Sequence, residues 1–409
     1  MAGDIAPGFG AAFAATANSH SGSSSFPPPN HTDQTFVVDV GPDLDRTSDR
    51  SGGPFVIDLN IDRWIGDQAK LLAHNLIPTT ITLSLPAYDV DVNGAPSDPS
   101  IPPERDRVTL IGGDGKEHVL GYLDGDDDIW QMNSFTIQTA WLSFGTFSQG
   151  GGYTPGTNRL RIDIDTDGPP GQDTWVTSID WVSFKITAPD PVLFVHGILS
   201  GPGTWGEAYK KVESEYGIPI AFADLGFLDS IQNNAVKIDQ LYQSSRALWT
   251  TADYGASRVL QVNIVAHSKG GLDSRELAER VDYIDQIIQL GTPNEGSPLA
   301  DAVQLGLFRG GLVGVSIGLI GALAAPAGYQ LTTMYMDEYN SGHGLNPNVR
   351  YTSIAGDYQF GGLLGSVAND FLDDLLGGPS DTIVPVWSVA GISPPSDFIV
   401  YSSSGSNEQ

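Results

Sequence analysis

Between residues 36 and 188, apolar and polar positions alternate in short runs cut by clusters of Gly, Asp and Pro. TFVVDV, GPFVIDLNI, TTITLSLPAYDVDV, RVTLIG, SFTIQTAWLSF, NRLRIDID and WVTSIDWVSFKIT are rich in β-branched and aromatic residues. Arg159-Leu160-Arg161-Ile162-Asp163-Ile164-Asp165 keeps a period of two, which puts every second side chain on one face of a strand. At least seven such strands between turn signals predict an all-β sandwich of jelly-roll type over 35–188. Residues 1–34 are small, polar and Pro-rich without periodicity, and are expected to form a disordered leader.

Past the Ala188-Pro189-Asp190-Pro191 linker the pattern changes. The runs VLFVHG, IPIAFADL, VLQVNIVAHS, IIQLGTP and VRYTSIAG alternate with helix-forming stretches at 234–254 and 272–281. That alternation predicts an α/β domain over 189–409, a mostly parallel sheet with helices on both faces. The stretch 310–330, GGLVGVSIGLIGALAAPAGYQ, has no charged residue and is long enough to cross a bilayer. Its glycines, Pro326 and its place between two strands of one sheet favour an apolar cap over a transmembrane anchor.

Charge narrows the partners. With 20 basic against 49 acidic residues the net charge is −29, so nucleic acid and anionic membranes are repelled. Such acidity fits a secreted protein, a salt-adapted one, or one whose carboxylates bind Ca²⁺. The absence of cysteine excludes disulfides, thiolate metal sites and a Cys nucleophile. The first residues lack the basic and continuous apolar regions of a secretory signal.

The chemistry concentrates in Val262-Asn263-Ile264-Val265-Ala266-His267-Ser268-Lys269-Gly270-Gly271. A β-branched strand runs into small-x-Ser-x-Gly and then a helix former, the pattern of a nucleophile elbow exposing the Ser268 hydroxyl. A serine in a tight structural turn is the bland alternative. Val192-Leu193-Phe194-Val195-His196-Gly197-Ile198 is an apolar strand ending in His-Gly. Such a loop supplies one oxyanion N–H and the residue after the nucleophile the other, here Ile198 and Lys269. His196 reads as a residue that holds the loop by hydrogen bonds.

HGILSGPGTW, AHSKGGLDSR and Leu290-Gly291-Thr292-Pro293-Asn294-Glu295-Gly296-Ser297 together resemble the bacterial lipases and esterases of the α/β-hydrolase fold, over about residues 190–409. The resemblance implies a lid at about 300–336 and a triad acid in the turn Gly378-Pro379-Ser380-Asp381-Thr382-Ile383-Val384. Asp381 is that acid by this likeness, with Asp357 as its rival. No organic cofactor is implied. The sandwich has a weaker likeness to modules appended to secreted and surface proteins of bacteria, so secretion is the expected localisation.

One member is missing from the expected order of Ser, acid, His. The seven histidines are His20, His31, His74, His118, His196, His267 and His343, and none follows Asp381. Three explanations stand open: a base beyond Gln409, recruitment of His343 from the SGHGLNPN loop, or a hydrolase fold kept only for binding.

In the first domain, YDVDVNG, Glu104-Arg105-Asp106 and Asp124-Gly125-Asp126-Asp127-Asp128 gather carboxylates. Asp89, Asp91, Asp126 and Asp128 are the candidate Ca²⁺ ligands, against solvated acidic turns. Trp130, Trp141, Trp175 and Trp181 could stack on carbohydrate, although tryptophans in strands are commonly core. The expected activity is hydrolysis of carboxylic esters with hydrophobic acyl chains, by a lipase or carboxylesterase mechanism. A polyester depolymerase and a catalytically degenerate binding protein are the alternatives.

Overall fold

The computed structural model describes residues 24, 26–40, 46–49, 53–93, 103–126, 129–166, 176–198, 200–226, 228–306, 321–358, 378, 383–391 and 397–403. The chain divides into two compact units, Met1–Pro189 with Trp249–Arg258, and Asp190–Leu248 with Val259–Gln409. The expected leader over residues 1–34 lies mostly outside the described residues.

Besides a two-stranded sheet of β8 (Thr146–Ser148) and β9 (Gly152–Thr154), the first unit holds two larger antiparallel sheets. One joins β1 (Thr35–Asp39), β2 (Arg46–Asp49), β4 (Thr80–Tyr88), β7 (Trp130–Gln138), β11 (Val176–Ile179) and β12 (Trp181–Lys185), in the order β1-β12-β4-β11-β2, with β7 also on β4. The other runs β3 (Phe55–Asp58), β10 (Arg159–Asp163), β5 (Arg107–Ile111), β6 (Glu117–Tyr122). Alternation explains both. In β4, Ile81, Leu83 and Leu85 are buried while Thr80 and Thr82 face out. In β10 the inward pair is Leu160 and Ile162, as the period of two predicts. A short helix α1 (Gln68–Ala73) follows β3, its first N–H groups capped by the Asp67 carboxylate.

The segment Trp249–Arg258 groups with this unit although it comes late in the sequence. Trp64 N–H donates to Trp249 O at 2.6 Å, Thr251 N–H donates to Asp62 O at 2.9 Å, and Arg258 pairs with Asp62.

The second unit is built on a six-stranded sheet ordered β14 (Ile220–Phe222), β13 (Val192–Val195), β15 (Val262–His267), β16 (Ile284–Leu290), β17 (Arg350–Tyr358), β18 (Asp397–Ser403). Every pairing is parallel, as the β/α alternation predicts. Val262, Ile264 and Ala266 on β15 are fully buried. Because the strands are parallel, the loops leaving β13, β15 and β16 emerge along one edge of the sheet, where ligands bind in open α/β sheets.

Helix α2 spans Ile231–Trp249 and α3 spans Lys269–Ala278. The α3 start lies three residues ahead of the predicted one, since Gly270 and Gly271 disguise the first turn of a helix. Further on come α4 (Pro298–Gln304), α5 (Thr333–Gly342) and α6 (Val386–Ala390). Leu272, Leu299, Val303, Leu323, Leu331, Met336 and Tyr339 form one buried cluster, so both described flanks of the expected lid are packed into core. Residues 307–320, which hold much of the expected lid and of the apolar stretch 310–330, lie outside the described residues. No described helix is long and apolar enough to cross a membrane.

Candidate active site

Ser268 stands between the last residue of β15 and the first of α3, with φ 52° and ψ −129°. A side chain at positive φ is strained, and surrounding contacts must hold it there. Ser268 N–H donates to Leu290 O at 2.8 Å and Gly271 N–H donates to Ser268 O at 3.0 Å. The neighbouring backbones close in on the turn. A Cβ on Gly270 would lie 2.6 Å from His196 O, and one on Gly197 would lie 2.7 Å from the Ser268 Cβ. Small residues are therefore demanded by space on both sides of the turn, and Ala266 is fully buried beneath it.

The His-Gly loop is pinned from within. His196 is buried, and its Nε2 accepts the Leu225 N–H at 3.0 Å. That leaves the ring proton on Nδ1, which donates to Gly197 O at 3.0 Å. Ser200 Oγ donates to the same carbonyl at 2.9 Å. Both ring nitrogens of His196 are thus spent on holding the backbone that presents Ile198. The Ile198 side chain packs on the buried helical cluster, which fixes the loop from the other side.

The remaining candidates are not all gathered here. His343 hydrogen-bonds Glu279 through Nδ1 at 2.9 Å and stacks on Tyr339 with ring centroids 4.3 Å apart. Glu279 closes the far end of α3, and at 1.5 Å per residue about 16 Å of helix separates it from Ser268. The structure does not bring His343 to the serine. His267 is half-buried on the sheet with its Nδ1 enclosed and without a hydrogen-bond partner. Burial first, and the neighbouring His196 second, lower its pKa, so the ring is held neutral. Asp381 lies outside the described residues, and Asp357 sits on β17 in register with Ser402.

The segment that follows Asp381 is described, and it is tied to the Gly291–Ser297 loop. Ser297 Oγ donates to Ile383 O at 2.6 Å, Asn294 Nδ2 to Val389 O at 3.1 Å, and Glu295 N–H to Ser388 Oγ at 3.1 Å. Asn294 is fully buried. It also donates to Gln289 Oε1 at 3.0 Å and accepts from Arg275 Nη1 at 3.2 Å. Gln289 in turn donates to Gly271 O at 3.3 Å. A polar seam so joins the serine-bearing helix to the strand and loop beside it.

A second buried network was not foreseen from sequence. The Lys269 ammonium meets the Asp273 carboxylate at 2.7 Å, each side chain 1% exposed. Asn234 Nδ2 on α2 donates to the other Asp273 oxygen at 2.9 Å. Burial pushes the Asp273 carboxyl up to about 6 against the downward pull of Lys269. Only the Lys–Asp spacing of four, a helix-face pair, was available in the sequence to suggest it.

The acidic groups of the first unit divide. Glu104 and Asp106 are buried, not solvated. Thr177 Oγ1 lies 2.6 Å from Asp106 Oδ2 and 3.2 Å from Glu104 Oε1. Asp91 N–H donates to Glu104 Oε2 at 3.0 Å, and Asp89 has a positive φ of 62°. Asp126 gives its carbonyl to Ile129 N–H at 3.3 Å, while Asp128 lies outside the described residues. Among the described residues no group of three or more His, Asp or Glu is arranged to hold a metal ion. Of the tryptophans, Trp181 is buried and donates to Phe26 O at 2.9 Å. Trp141 stacks on His118 and Trp130 packs on Tyr88. Trp175 lies outside the described residues.

Residues 172–334 match a family described as a domain of unknown function (DUF7379). No curated protein matches the chain. Solved structures it resembles include lipases and esterases. A mature lipase of Bacillus licheniformis is 26% identical with a TM-score of 0.40, covering 53% of this chain and 84% of that one. A metagenomic carboxyl esterase is 20% identical with a TM-score of 0.36, covering 52% of this chain and 63% of that one. A lipase of Staphylococcus hyicus is 17% identical with a TM-score of 0.36, covering 52% and 86%.

Proposed function

We propose that the second unit is a serine hydrolase of carboxylic esters, with Ser268 as its nucleophile. The observation that carries this reading is the strained Ser268 backbone at the β15–α3 junction, with Gly197 against its side chain. A serine held at positive φ on a strand-to-helix turn projects its hydroxyl above the sheet. In the reaction, Ser268 Oγ bonds to the acyl carbon while its proton passes to a base. The carbonyl oxygen gains the charge and is met by the Ile198 and Lys269 N–H groups. Collapse breaks the ester C–O bond, the alcohol leaves with the proton, and water then releases the acid.

Asp381 is the acid of this reading, by its motif. Leu305 and Met334, 75% and 65% exposed on the described flanks of the lid segment, support an apolar acyl substrate. Alternate burial in both larger antiparallel sheets, as in β4 and β10, supports their packing face to face as a sandwich.

The experiment is labelling of residues 1–409 with an alkyl fluorophosphonate, with Ser268→Ala beside it. Labelling confined to the wild-type protein supports the assignment. Because the base is missing from residues 1–409, labelling is read with added imidazole, and no labelling even then sinks the assignment and leaves a binding protein on a degenerate hydrolase fold. No histidine follows Asp381, where this fold carries its base. Hydrolysis of a medium-chain p-nitrophenyl ester is therefore expected near the residual level of roughly 10³–10⁴ over water. Added imidazole is expected to raise it in the wild type beyond its effect on Ser268→Ala.

A further inference from the structure

We propose that Asp273 and Asn234 are positioning residues that hold the Lys269 peptide, and with it the oxyanion hole beside Ser268, in a fixed orientation. The inference rests on the hydrolase reading above. Lys269 is the first residue of α3, in a helix turn that does not favour a cation. It is also enclosed, at 1% exposure, and burying an ion pair is costly enough that apolar residues of like volume serve stability as well or better. Stability alone therefore does not account for the pair.

What the pair does is restrain the residue whose N–H would meet the oxyanion. The Lys269 side chain is tied one turn along its own helix, to Asp273 Oδ1 at 2.7 Å. The second Asp273 oxygen is held by Asn234 Nδ2 at 2.9 Å, and the same amide donates to Gly226 O at 3.2 Å. The first residue of the serine-bearing helix is thereby anchored to α2 and to the loop after β14. Nearby, Asp229 is engaged by Lys237 at 2.5 Å and does not compete for Lys269. An oxyanion hole works by donors already oriented before the charge appears, and this chain of bonds supplies that orientation.

The test uses the full chain carrying Lys269→Met together with Asp273→Leu, and separately Asn234→Ala. The readouts are thermal melting, and the maximal rate and half-saturating concentration for phosphonylation of Ser268 by an alkyl fluorophosphonate. The double variant is expected to fold and to lose about tenfold or more in maximal rate, a fraction of what losing an oxyanion donor costs, with half-saturation unchanged. Asn234→Ala, which keeps the ion pair, is expected to lose roughly threefold. A folded double variant that labels at the wild-type rate overturns the proposal. If the double variant does not fold, Asn234→Ala decides by the same split, and an unchanged maximal rate overturns it. All rates are taken with added imidazole, and wild-type protein that fails to label even then removes the hydrolase reading itself, a separate result.

Discussion

Ser268 carries its strain in the backbone, and strain of this kind costs on the order of 1–3 kcal/mol. Glycine adopts φ 52° without that penalty. Ser268→Gly is therefore expected to raise stability by about 1 kcal/mol in urea unfolding while abolishing labelling; an unchanged or lower midpoint would show that the turn is relaxed. Gly197 makes the opposite case. Its missing Cβ leaves room for Ser268, since a methyl there would lie 2.7 Å from the serine Cβ and 3.2 Å from Oγ. Gly197→Ala is expected to cost about 1–3 kcal/mol and to cut the labelling rate about 100-fold by displacing the hydroxyl. Stopped-flow labelling with a melting curve on the same sample separates the two effects. Ser268 was legible in the sequence because strand, small residues, serine and helix follow one another within ten positions, and Gly197 because an apolar strand ends in His-Gly. Asn234 was not, because its partner Asp273 is 39 positions away and nothing local marks either as buried.

Among the elements, the loop from β16 to α4 does the joining. Asn294 donates to Gln289 and Val389 and accepts from Arg275, and Asn340 Nδ2 donates to its carbonyl at 2.8 Å. Arg275 is buried and burial lowers its pKa, so the loss of a neutral acceptor leaves a guanidinium less satisfied. Asn294→Ala is expected to destabilise by about 2–3 kcal/mol, more than truncation of a solvent-facing asparagine. A chemical unfolding curve within 0.5 kcal/mol of wild type would mean that water replaces the amide. Most strands were readable as apolar runs between turn signals, and the parallel sheet from their alternation with helices, but β2 (RTSD) and β6 (EHVLGY) were not among them. The grouping of Trp249–Arg258 with the first unit was not readable, because it depends on backbone bonds and on pairs such as Arg258 with Asp62, 196 positions apart. Burial of Glu104 and Asp106 escaped the sequence for a related reason. Their loops look like solvated acidic turns until β11 brings Thr177 onto them.

That pair shapes how the whole molecule answers to pH. The chain carries a net charge of −29, yet Glu104 is pushed up to about 10, by burial first and by the neighbouring Asp106 second. Asp106 is raised as well, chiefly by burial, so the two titrate as a coupled pair. Folding thus retains a proton that the unfolded chain releases above the ordinary glutamate value of 4.5. The stability this confers is complete below that value and is lost as pH rises toward 10. Other groups confine the useful window. His31 is lowered from 6.5 by burial, which makes stability rise with pH below neutrality, and Asp273 titrates near 6. Tyr153 is raised from 10 by burial and matters only at the alkaline end. Between pH 7 and 9 the buried acid pair dominates. Stability of the first unit is expected to fall there by up to about 1.4 kcal/mol per pH unit, the weight of one proton. Glu104→Gln, which keeps the shape and cannot ionise, is expected to flatten that slope and to melt above the wild type at neutrality, the two converging toward pH 4.5. The measurement is thermal unfolding of the full chain at fixed ionic strength, since screening of so large a net charge also moves stability. A wild-type slope that matches the Gln variant would mean that Glu104 is ionised in the folded protein. A steep slope that vanishes with the substitution would place one proton of the neutral-pH protein on that buried pair.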